Sequence, residues 1–379
     1  MQGARQAHNP ATQDRTGLIT ASPPNRSWPP PHKILVKEVN WLGDLVISLP
    51  ALRALHQSFP SSAISVLVKR ELAGFFDGIS WIAEVMPYVV RPSFEGVRDR
   101  LQIIRAIRER SFDYAVVFPN SFASALWVAL AGIPRRAGYA TGGRSLLLTD
   151  RARRSAGVMV GHQSGYWLAM VRQTAGAKLS PTAGRLEVAP RHRERMAQWL
   201  TSQRCDPLAP LIAIAPAAAY GPAKEWPASH YAGLIDLIAG QHGAECVLIG
   251  APADRTGCEA IAATVRSQPI VAAGTTSIGE LIALLSLCDG FTGNDSGAMH
   301  LASALGIPTV GIFGSTNPDR TGPIGPGSAV VYHRIECSPC LARTCRYGHY
   351  DCLRGIRVAE VASALERLGA FNRPRYPAL

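Results

Sequence analysis

The sequence contains no uninterrupted run of about 18 apolar residues, the length that a membrane-spanning helix needs. The best candidate, residues 122–133, is too short and is followed by Pro134. The N-terminal segment lacks the apolar core of a secretory signal peptide, so we expect a cytoplasmic protein. Neither a G-x-G-x-x-G loop after the first predicted strand nor a Walker A motif is present, which disfavours a dinucleotide-binding protein and an ATPase.

Acidic and aromatic residues are scarce. The 27 acidic residues are outnumbered by 39 basic ones, which gives a formal net charge of +12 and indicates an anionic partner. Nucleic acid, an anionic membrane surface and a phosphorylated substrate all fit that charge. Aromatic residues make up only 7% and do not interleave with a basic patch, so we expect no nucleic-acid partner. Hydrophobic residues make up 47%, which excludes a globally disordered chain.

Short apolar strands alternate with helices along the chain, and the pattern occurs twice. Such alternation is typical of βαβ units and a parallel sheet. We therefore predict the α/β class, with a disordered tail at 1–32, doubly wound Rossmann-like domains at 33–190 and 191–355, and a closing helix and tail at 356–379. Predicted strands include 34–36, 63–68, 88–90, 114–118, 211–215, 245–249, 270–272, 290–292 and 309–313. Ligands of such sheets bind beyond the carboxyl ends of the strands, so the predicted site is a cleft between the domains.

The first candidate for chemistry is the run at residues 40–44, just after the first predicted strand. Gly43 allows a ligand to approach the backbone closely. Asp44 stands at the start of the following helix, where a carboxylate is either a plain helix cap or a general base. The residues alone leave both interpretations open.

The second candidate, residues 220–227, follows the first strand of the second domain and contains Tyr220, Gly221 and Lys224. A lysine at a turn from strand to helix is placed to contact phosphate oxygens, together with amides of the helix N-terminus. The alternative is a lysine in a solvated loop.

The third candidate joins a strand to a helix and contains Asp295, Ser296, Gly297 and His300. Small residues allow backbone N–H groups to reach a diphosphate, and the carboxylate can accept hydrogen bonds from hydroxyl groups. The alternative is an ordinary capped helix with a buried histidine. A similar turn with Ser315 follows the next strand, and two such turns side by side are more informative than one.

Four cysteines near the C-terminus have the spacing C-x2-C-x4-C-x6-C. Cys337, Cys340, Cys345 and Cys352 could bind a structural zinc, although the spacing departs from common zinc-ribbon patterns. We favour reduced thiols that fix a loop or line the cleft, because disulfides are disfavoured in a cytosolic protein.

A run of arginines has only Asp150 to oppose it. Guanidinium groups suit phosphate, so Arg135, Arg136 and Arg144 are candidates for acceptor binding, with a solvated basic surface as the alternative. The run continues with Arg151, Arg153 and Arg154.

Taken jointly and in order, these motifs resemble the ADP-heptose:lipopolysaccharide heptosyltransferases of glycosyltransferase family 9. The resemblance covers about residues 33–370, and the cysteine segment is similar to the heptosyltransferase II branch in particular. The motifs that carry it are Trp41-Leu42-Gly43-Asp44 with Leu49-Pro50, Gly221-Pro222-Ala223-Lys224 with Trp226-Pro227, Asn294-Asp295-Ser296-Gly297 with Met299-His300, and Cys337-Ser338-Pro339-Cys340 through Cys345 to Cys352-Leu353.

The resemblance implies the GT-B architecture, in which two Rossmann-like domains face a cleft. It implies an inverting transfer of L-glycero-D-manno-heptose from ADP-heptose to the first heptose of the lipopolysaccharide inner core, with no metal or other cofactor required. The acceptor would be a lipid A–Kdo–heptose molecule. A positively charged enzyme acting on it is expected at the inner face of the cytoplasmic membrane, as a peripheral protein.

The family's pattern also implies roles for individual residues. Asp44 corresponds to the catalytic base, Lys224 and amides near Ser296, Gly297 and Ser315 support the departing ADP, and Asp295 binds hydroxyl groups of the donor heptose. The donor-binding positions are Tyr220, Gly221, Lys224, Asp295, Ser296, Gly297, His300 and Ser315.

Other functions stay open on the sequence. A different family 9 glycosyltransferase would use another acceptor. A sugar-nucleotide epimerase of similar architecture would need acid and base groups for the sugar nucleotide itself. A zinc-stabilised protein that binds an anionic glycolipid would need no base at Asp44.

Overall fold

The computed structural model describes residues 28–92, 94–177 and 185–372. The predicted disordered tail lies outside the described residues except for positions 28–32. The described residues group into two compact units, one before residue 178 and one from residue 185 onward. Within these ranges no helix is both long and apolar enough to cross a bilayer.

The first unit is built on a parallel sheet of six strands in the order β3-β2-β1-β4-β5-β6. The central strand β1 pairs with β2 on one side and with β4 on the other, so that Val36 stands opposite both Val66 and Val116. The strands are β1 (Lys33–Lys37), β2 (Ala63–Lys69), β3 (Ile82–Tyr88), β4 (Tyr114–Val117), β5 (Arg135–Tyr139) and β6 (Asp150–Ala152). The helices are α1 (Leu42–Ser58), α2 (Glu95–Glu109), α3 (Phe122–Leu130), α4 (Ala156–Val160) and α5 (Gln163–Ala175).

The second unit repeats this plan with strands in the order β12-β11-β10-β7-β8-β9. Its strands are β7 (Leu211–Ala215), β8 (Glu245–Leu248), β9 (Ile270–Val271), β10 (Gly290–Asn294), β11 (Thr309–Phe313) and β12 (Ser328–Tyr332). Its helices are α6 (Pro190–Gln203), α7 (Ala228–His242), α8 (Arg255–Ala262), α9 (Ile278–Ser286), α10 (Gly297–Leu305), α11 (Pro318–Thr321), α12 (Asp351–Arg354) and α13 (Val358–Arg367).

Strands β4 and β7 are continuous apolar runs, as expected for central strands of a parallel sheet that is covered on both faces. All four residues of β4 and all five residues of β7 are buried. In both units the strand order reverses at the central strand, between β1 and β4 and between β7 and β10. Ligands of doubly wound sheets bind beyond the carboxyl ends of the strands at this reversal, so each unit has one favoured binding position.

The predicted α/β class with two Rossmann-like folds is confirmed, and so is a first helix that continues past Pro50. The predicted strand at 88–90 is wrong, because β3 ends at Tyr88. Only two residues of this edge strand, Met86 and Tyr88, are buried, and between them lies Pro87, which an edge tolerates and which weakens the sequence signal of the strand. The sequence does not predict the bounds of β5, β6 or β12, since charged and small residues interrupt their apolar patterns.

Candidate active site

In the first unit, the reversal of strand order brings Asp44 to the carboxyl end of β1. Helix α1 begins at Leu42 with Trp41 as its N-cap, so Asp44 lies in the first turn rather than at the cap position. The positive end of the helix dipole favours a negative charge there. Gln163, the first residue of α5, donates a hydrogen bond from Nε2 to Asp44 Oδ1 at 3.0 Å. This contact orients the carboxylate from a second helix.

Two buried ionisable residues, Lys37 and Glu38, lie at the end of β1. Lys37 Nζ donates to the backbone carbonyl of Glu38, and Glu38 Oε2 accepts from Ser48 Oγ in α1. Burial lowers the pKa of Lys37 to about 7 and raises the pKa of Glu38 to about 7. Glu38 Oε1 is buried and has no hydrogen-bond partner within the described residues. A proton on Glu38 or an enclosed water would satisfy this oxygen.

In the second unit, the corresponding position holds an ion pair between Lys224 and Asp295. Lys224 Nζ lies 2.5 Å from Asp295 Oδ2, and the side chains are only 14% and 4% exposed. The same oxygen accepts a hydrogen bond from Thr316 Oγ1 at 2.7 Å. His300 Nε2 lies 3.8 Å from the other carboxylate oxygen. Asp295 therefore connects the loops after β7, β10 and β11 through these contacts.

Asn294 fixes the backbone on which this ion pair rests. It is fully buried at the end of β10, and its side-chain amide donates to Pro216 O at 2.6 Å. Its side-chain oxygen accepts from the Trp226 amide at 3.0 Å and from the Tyr231 hydroxyl at 2.9 Å. The loop after β7 is thus tied to the end of β10 on both sides of Lys224.

Two hydroxyl groups near the ion pair lack partners. Ser296 Oγ and Ser315 Oγ are buried atoms with no hydrogen-bond partner among the described residues, and Ser315 is only 1% exposed. Ser296 is the N-cap of α10 but makes no side-chain capping bond, and Gly297 begins that helix. Unpaired buried hydroxyl groups, one of them at a helix N-terminus, are suited to an anionic ligand with several acceptor oxygens. The Ser315 amide, by contrast, donates to Ala223 O at 3.3 Å, so it is already used within the fold.

The segment at residues 333–350, here the cysteine loop, packs against the loop after β7. The Tyr220 hydroxyl donates to Leu341 O at 2.6 Å, and the Ala223 amide donates to Arg343 O at 3.0 Å. Gly221 has φ 138°, and a Cβ there would lie 2.7 Å from Arg343 O. Only glycine satisfies both the backbone conformation and the close approach at this position.

The four thiols of the C-terminal cluster line one small cavity together with Ala223 and Ser315. All are free thiols, and no group of three or more His, Cys, Asp or Glu residues in the described ranges is placed to hold a metal ion. A structural zinc at these four thiols therefore stays a prediction. Burial raises the pKa of Cys352 to about 11, whereas hydrogen bonds from backbone N–H groups, that of Tyr350 first, lower the pKa of Cys345.

The three predicted acceptor arginines are engaged within the first unit. Arg135 is buried, bridges to Asp150 at 3.3 Å and donates to Thr174 O. Arg144 is fully buried and donates to Tyr139 O at 2.8 Å and to Pro119 O. Arg136 donates to Leu147 O at 2.6 Å and Ile133 O at 2.5 Å. All three guanidinium groups thus have hydrogen-bond partners within the fold. The role of these arginines in acceptor binding stays a prediction.

Several residues of these sites were not predicted from the sequence. The fold brings four such residues close to the points where the strand order reverses: Gln163, Glu38, Thr316 and Arg343. One sequence feature weakly indicates Gln163: it lies in a short polar run, Gly161 to Ser164, that follows the exposed apolar helix α4. Thr316 could have been found beside Ser315 in the turn after β11.

The chain is similar in sequence to known heptosyltransferases. The family model described as Glycosyltransferase family 9 (heptosyltransferase) matches residues 100–351. Lipopolysaccharide heptosyltransferase 2 of Escherichia coli K12 is 30% identical over 322 residues, which are 80% of this chain and 90% of that protein. The chain belongs to glycosyltransferase family 9, the heptosyltransferases, and hence to the GT-B fold class.

Solved structures of relatives have the same fold. The structure of E. coli ADP-heptose lps heptosyltransferase II has a TM-score of 0.75 at 27% identity and covers 89% of this chain and 98% of its own. A family 9 glycosyl transferase from Veillonella parvula has a TM-score of 0.79 at 22% identity and covers 89% and 97%. The predicted resemblance to heptosyltransferase II is confirmed, and an epimerase or a binding protein is not favoured.

Proposed function

We propose that this glycosyltransferase moves L-glycero-D-manno-heptose from ADP-heptose to the first heptose of the lipopolysaccharide inner core. The observation that carries the proposal is the group around Asp295 at the switch point of the second sheet. It combines the Lys224 ammonium group and the Asp295 carboxylate with the buried hydroxyl groups of Ser296 and Ser315, which have no hydrogen-bond partner among the described residues. The curated relatives named heptosyltransferase 2 support the acceptor.

The second unit would bind the donor. Lys224, the first-turn amides of α10 and the hydroxyl groups of Ser296 and Ser315 would contact the diphosphate. The Asp295 carboxylate would accept hydrogen bonds from hydroxyl groups of the heptose. These groups supply positive charge and hydrogen bonds where ADP leaves. We therefore expect no metal ion or other cofactor to be required. Tyr220, Gly221 and His300 would shape the pocket rather than react.

The first unit would supply the base. In the proposed step the acceptor hydroxyl oxygen forms a bond to the anomeric carbon while the bond from that carbon to the ADP oxygen breaks. The hydroxyl proton passes to the Asp44 carboxylate, and ADP leaves with the bonding electron pair. A single base opposite the leaving group inverts the anomeric centre. Gln163 would hold Asp44 in position for this transfer.

For acceptor binding we propose an exposed arginine of the first unit. Arg154 is a better candidate than the three buried or engaged arginines, because it is exposed and stacks over Tyr139 and Tyr166 at 5.8 and 5.5 Å. Its guanidinium group could contact a phosphate or carboxylate of the lipid A–Kdo–heptose acceptor.

We also propose that the protein acts at the inner face of the cytoplasmic membrane. The support is the outward face of α2, where Phe94, Val97 and Leu101 are 86%, 48% and 61% exposed. These side chains follow the helical repeat and lie on one face with Arg98, Arg105 and Arg108. Apolar side chains among arginines are suited to an anionic lipid surface, although Glu95 and Glu109 offset part of the charge.

The test of the proposed reaction is a transfer assay with purified protein. ADP-heptose is incubated with and without a core acceptor that ends at its first heptose, while ADP release and acceptor mass are followed. We expect acceptor-dependent ADP release and the mass of one added heptose. ADP release without acceptor, or a sugar isomer formed from the donor alone, would contradict the transferase and support the other activities considered above.

A further inference from the structure

The ion pair at the proposed donor site has no net positive charge with which to balance a diphosphate. Lys224 is the cation nearest Asp295, and the two side chains neutralise each other at 2.5 Å. A diphosphate carries at least two negative charges at neutral pH, and its charge increases when ADP leaves. Helix amides and hydroxyl groups contribute partial charges only. An additional full positive charge near Lys224 would balance the ligand.

Arg343 lies beside this pair. The Tyr220 ring is contacted by both cations, with Lys224 Nζ 4.8 Å and Arg343 Cζ 5.1 Å from its centroid. Arg343 is exposed, and within the described residues its guanidinium group has no carboxylate within ion-pairing distance. It therefore has hydrogen-bond donors and a full charge to offer a ligand.

The backbone of Arg343 is fixed to the same loop. Its carbonyl accepts the Ala223 amide at 3.0 Å and lies against Gly221. The neighbouring Leu341 donates its amide to Ser315 O at 2.8 Å and accepts the Tyr220 hydroxyl. Ser338 Oγ donates to Gly314 O at 2.5 Å. The cysteine loop is thus bound to two of the turns that carry the proposed diphosphate ligands, those of Lys224 and Ser315.

We propose that Arg343 binds the diphosphate of the donor, and that the cysteine loop serves to hold this arginine at the edge of the pocket. This assignment rests on the proposed donor site and adds a residue to it. The guanidinium group would form charge-assisted hydrogen bonds to phosphate oxygens while its plane stays on the Tyr220 ring. The arrangement supplies the net positive charge that the Lys224–Asp295 pair lacks.

The experiment is calorimetric titration of the full chain with ADP and with adenosine. Arg343→Ala keeps the backbone carbonyl that contacts Ala223, so the loop retains its anchor. We expect ADP to bind about ten- to a hundredfold more weakly, while adenosine affinity is unchanged. Arg343→Lys should recover part of the loss, because it restores the charge but not the planar fork. Arg334→Ala removes another exposed arginine from the same stretch and should leave both affinities unchanged.

Two outcomes overturn the assignment: equal ADP affinity for Arg343→Ala and the unaltered protein, or equal weakening of ADP and adenosine, which would indicate a distorted pocket. A protein that binds ADP normally but transfers no heptose refutes the proposed reaction and leaves the role of Arg343 standing. A protein that binds no ADP at all refutes the donor site and this assignment together.

Discussion

Lys224 Nζ lies 2.5 Å from Asp295 Oδ2, although 71 residues separate the two in the chain. The pair joins the loop after β7 to the end of β10, at the point where the strand order of the second sheet reverses. Both side chains are largely buried, so each is the main compensation for the charge of the other. The contact is therefore part of the fold as well as part of the proposed donor site.

The ion pair predicts a stability effect that activity assays alone would miss. Lys224→Met leaves the Asp295 carboxylate buried without its cation, and we expect a loss of about 3 kcal/mol in the free energy of unfolding. Adding Asp295→Asn removes the unpaired charge and should restore part of that loss. Urea unfolding of the two single variants and the double variant measures the coupling. Additive losses would mean that the two charges do not interact energetically.

The proposed base predicts a specific kinetic defect. Asp44→Asn cannot accept the acceptor proton, so we expect kcat to fall by a factor of about 10² to 10⁴ with unchanged affinity for the donor. Gln163→Ala should cause a smaller fall, because the carboxylate remains but loses an orienting hydrogen bond. Asp77→Asn changes an exposed carboxylate of the same unit and serves as the control. A normal kcat for Asp44→Asn would eliminate the base assignment.

Glu38 predicts a pH-dependent contribution to stability. Burial raises its pKa from 4.5 to about 7, so the folded protein keeps a proton that the unfolded chain releases. The contribution of Glu38 to the free energy of unfolding is fully present below pH 4.5 and is lost as the pH rises to about 7. Glu38→Gln cannot lose that proton. Relative to the unaltered protein, we expect the variant to gain stability between pH 5 and 7, by up to about 3 kcal/mol.

Urea unfolding at several pH values measures this difference. Ser48→Ala is the matched control, because it removes a hydrogen bond to Glu38 but keeps the titrating carboxyl group. The control should retain the pH dependence of the unaltered protein. A stability difference between Glu38→Gln and the unaltered protein that stays constant from pH 5 to 7 would show that Glu38 titrates normally.

The α2 face predicts binding to anionic membranes. Phe94→Ser combined with Leu101→Ser removes the two most exposed apolar side chains of this face, and we expect loss of co-sedimentation with vesicles of phosphatidylcholine and phosphatidylglycerol. Pure phosphatidylcholine vesicles should bind the unaltered protein weakly. Leu208→Ser combined with Ile324→Ser, at exposed positions of the second unit, is the control pair. If the control pair abolishes binding and the α2 pair does not, another surface contacts the lipid.

The sequence predicted the fold class because it depends on local patterns, and the same patterns placed Asp44, Lys224 and Asp295 in segments that follow strands. Apolar runs such as β7 mark buried strands, and a turn directly after such a strand lies at the ligand-binding edge. The sequence did not predict partners that come from distant segments. Gln163 reaches Asp44 across 119 positions, and no local pattern encodes that pairing. The sequence also did not predict that Arg135, Arg136 and Arg144 make hydrogen bonds within the fold, because their partners are mostly backbone carbonyls of other segments.

Neither sheet contains a strand from the other unit within the described residues, and the two have the same strand order. The hydrogen bonds between strands of each sheet are therefore made within one half of the chain. This modularity makes the chain suitable for recombination near residue 184. In a chimera that keeps the first half and takes the second from a relative with another sugar nucleotide, we expect the donor to change while the proposed base, Asp44, is retained.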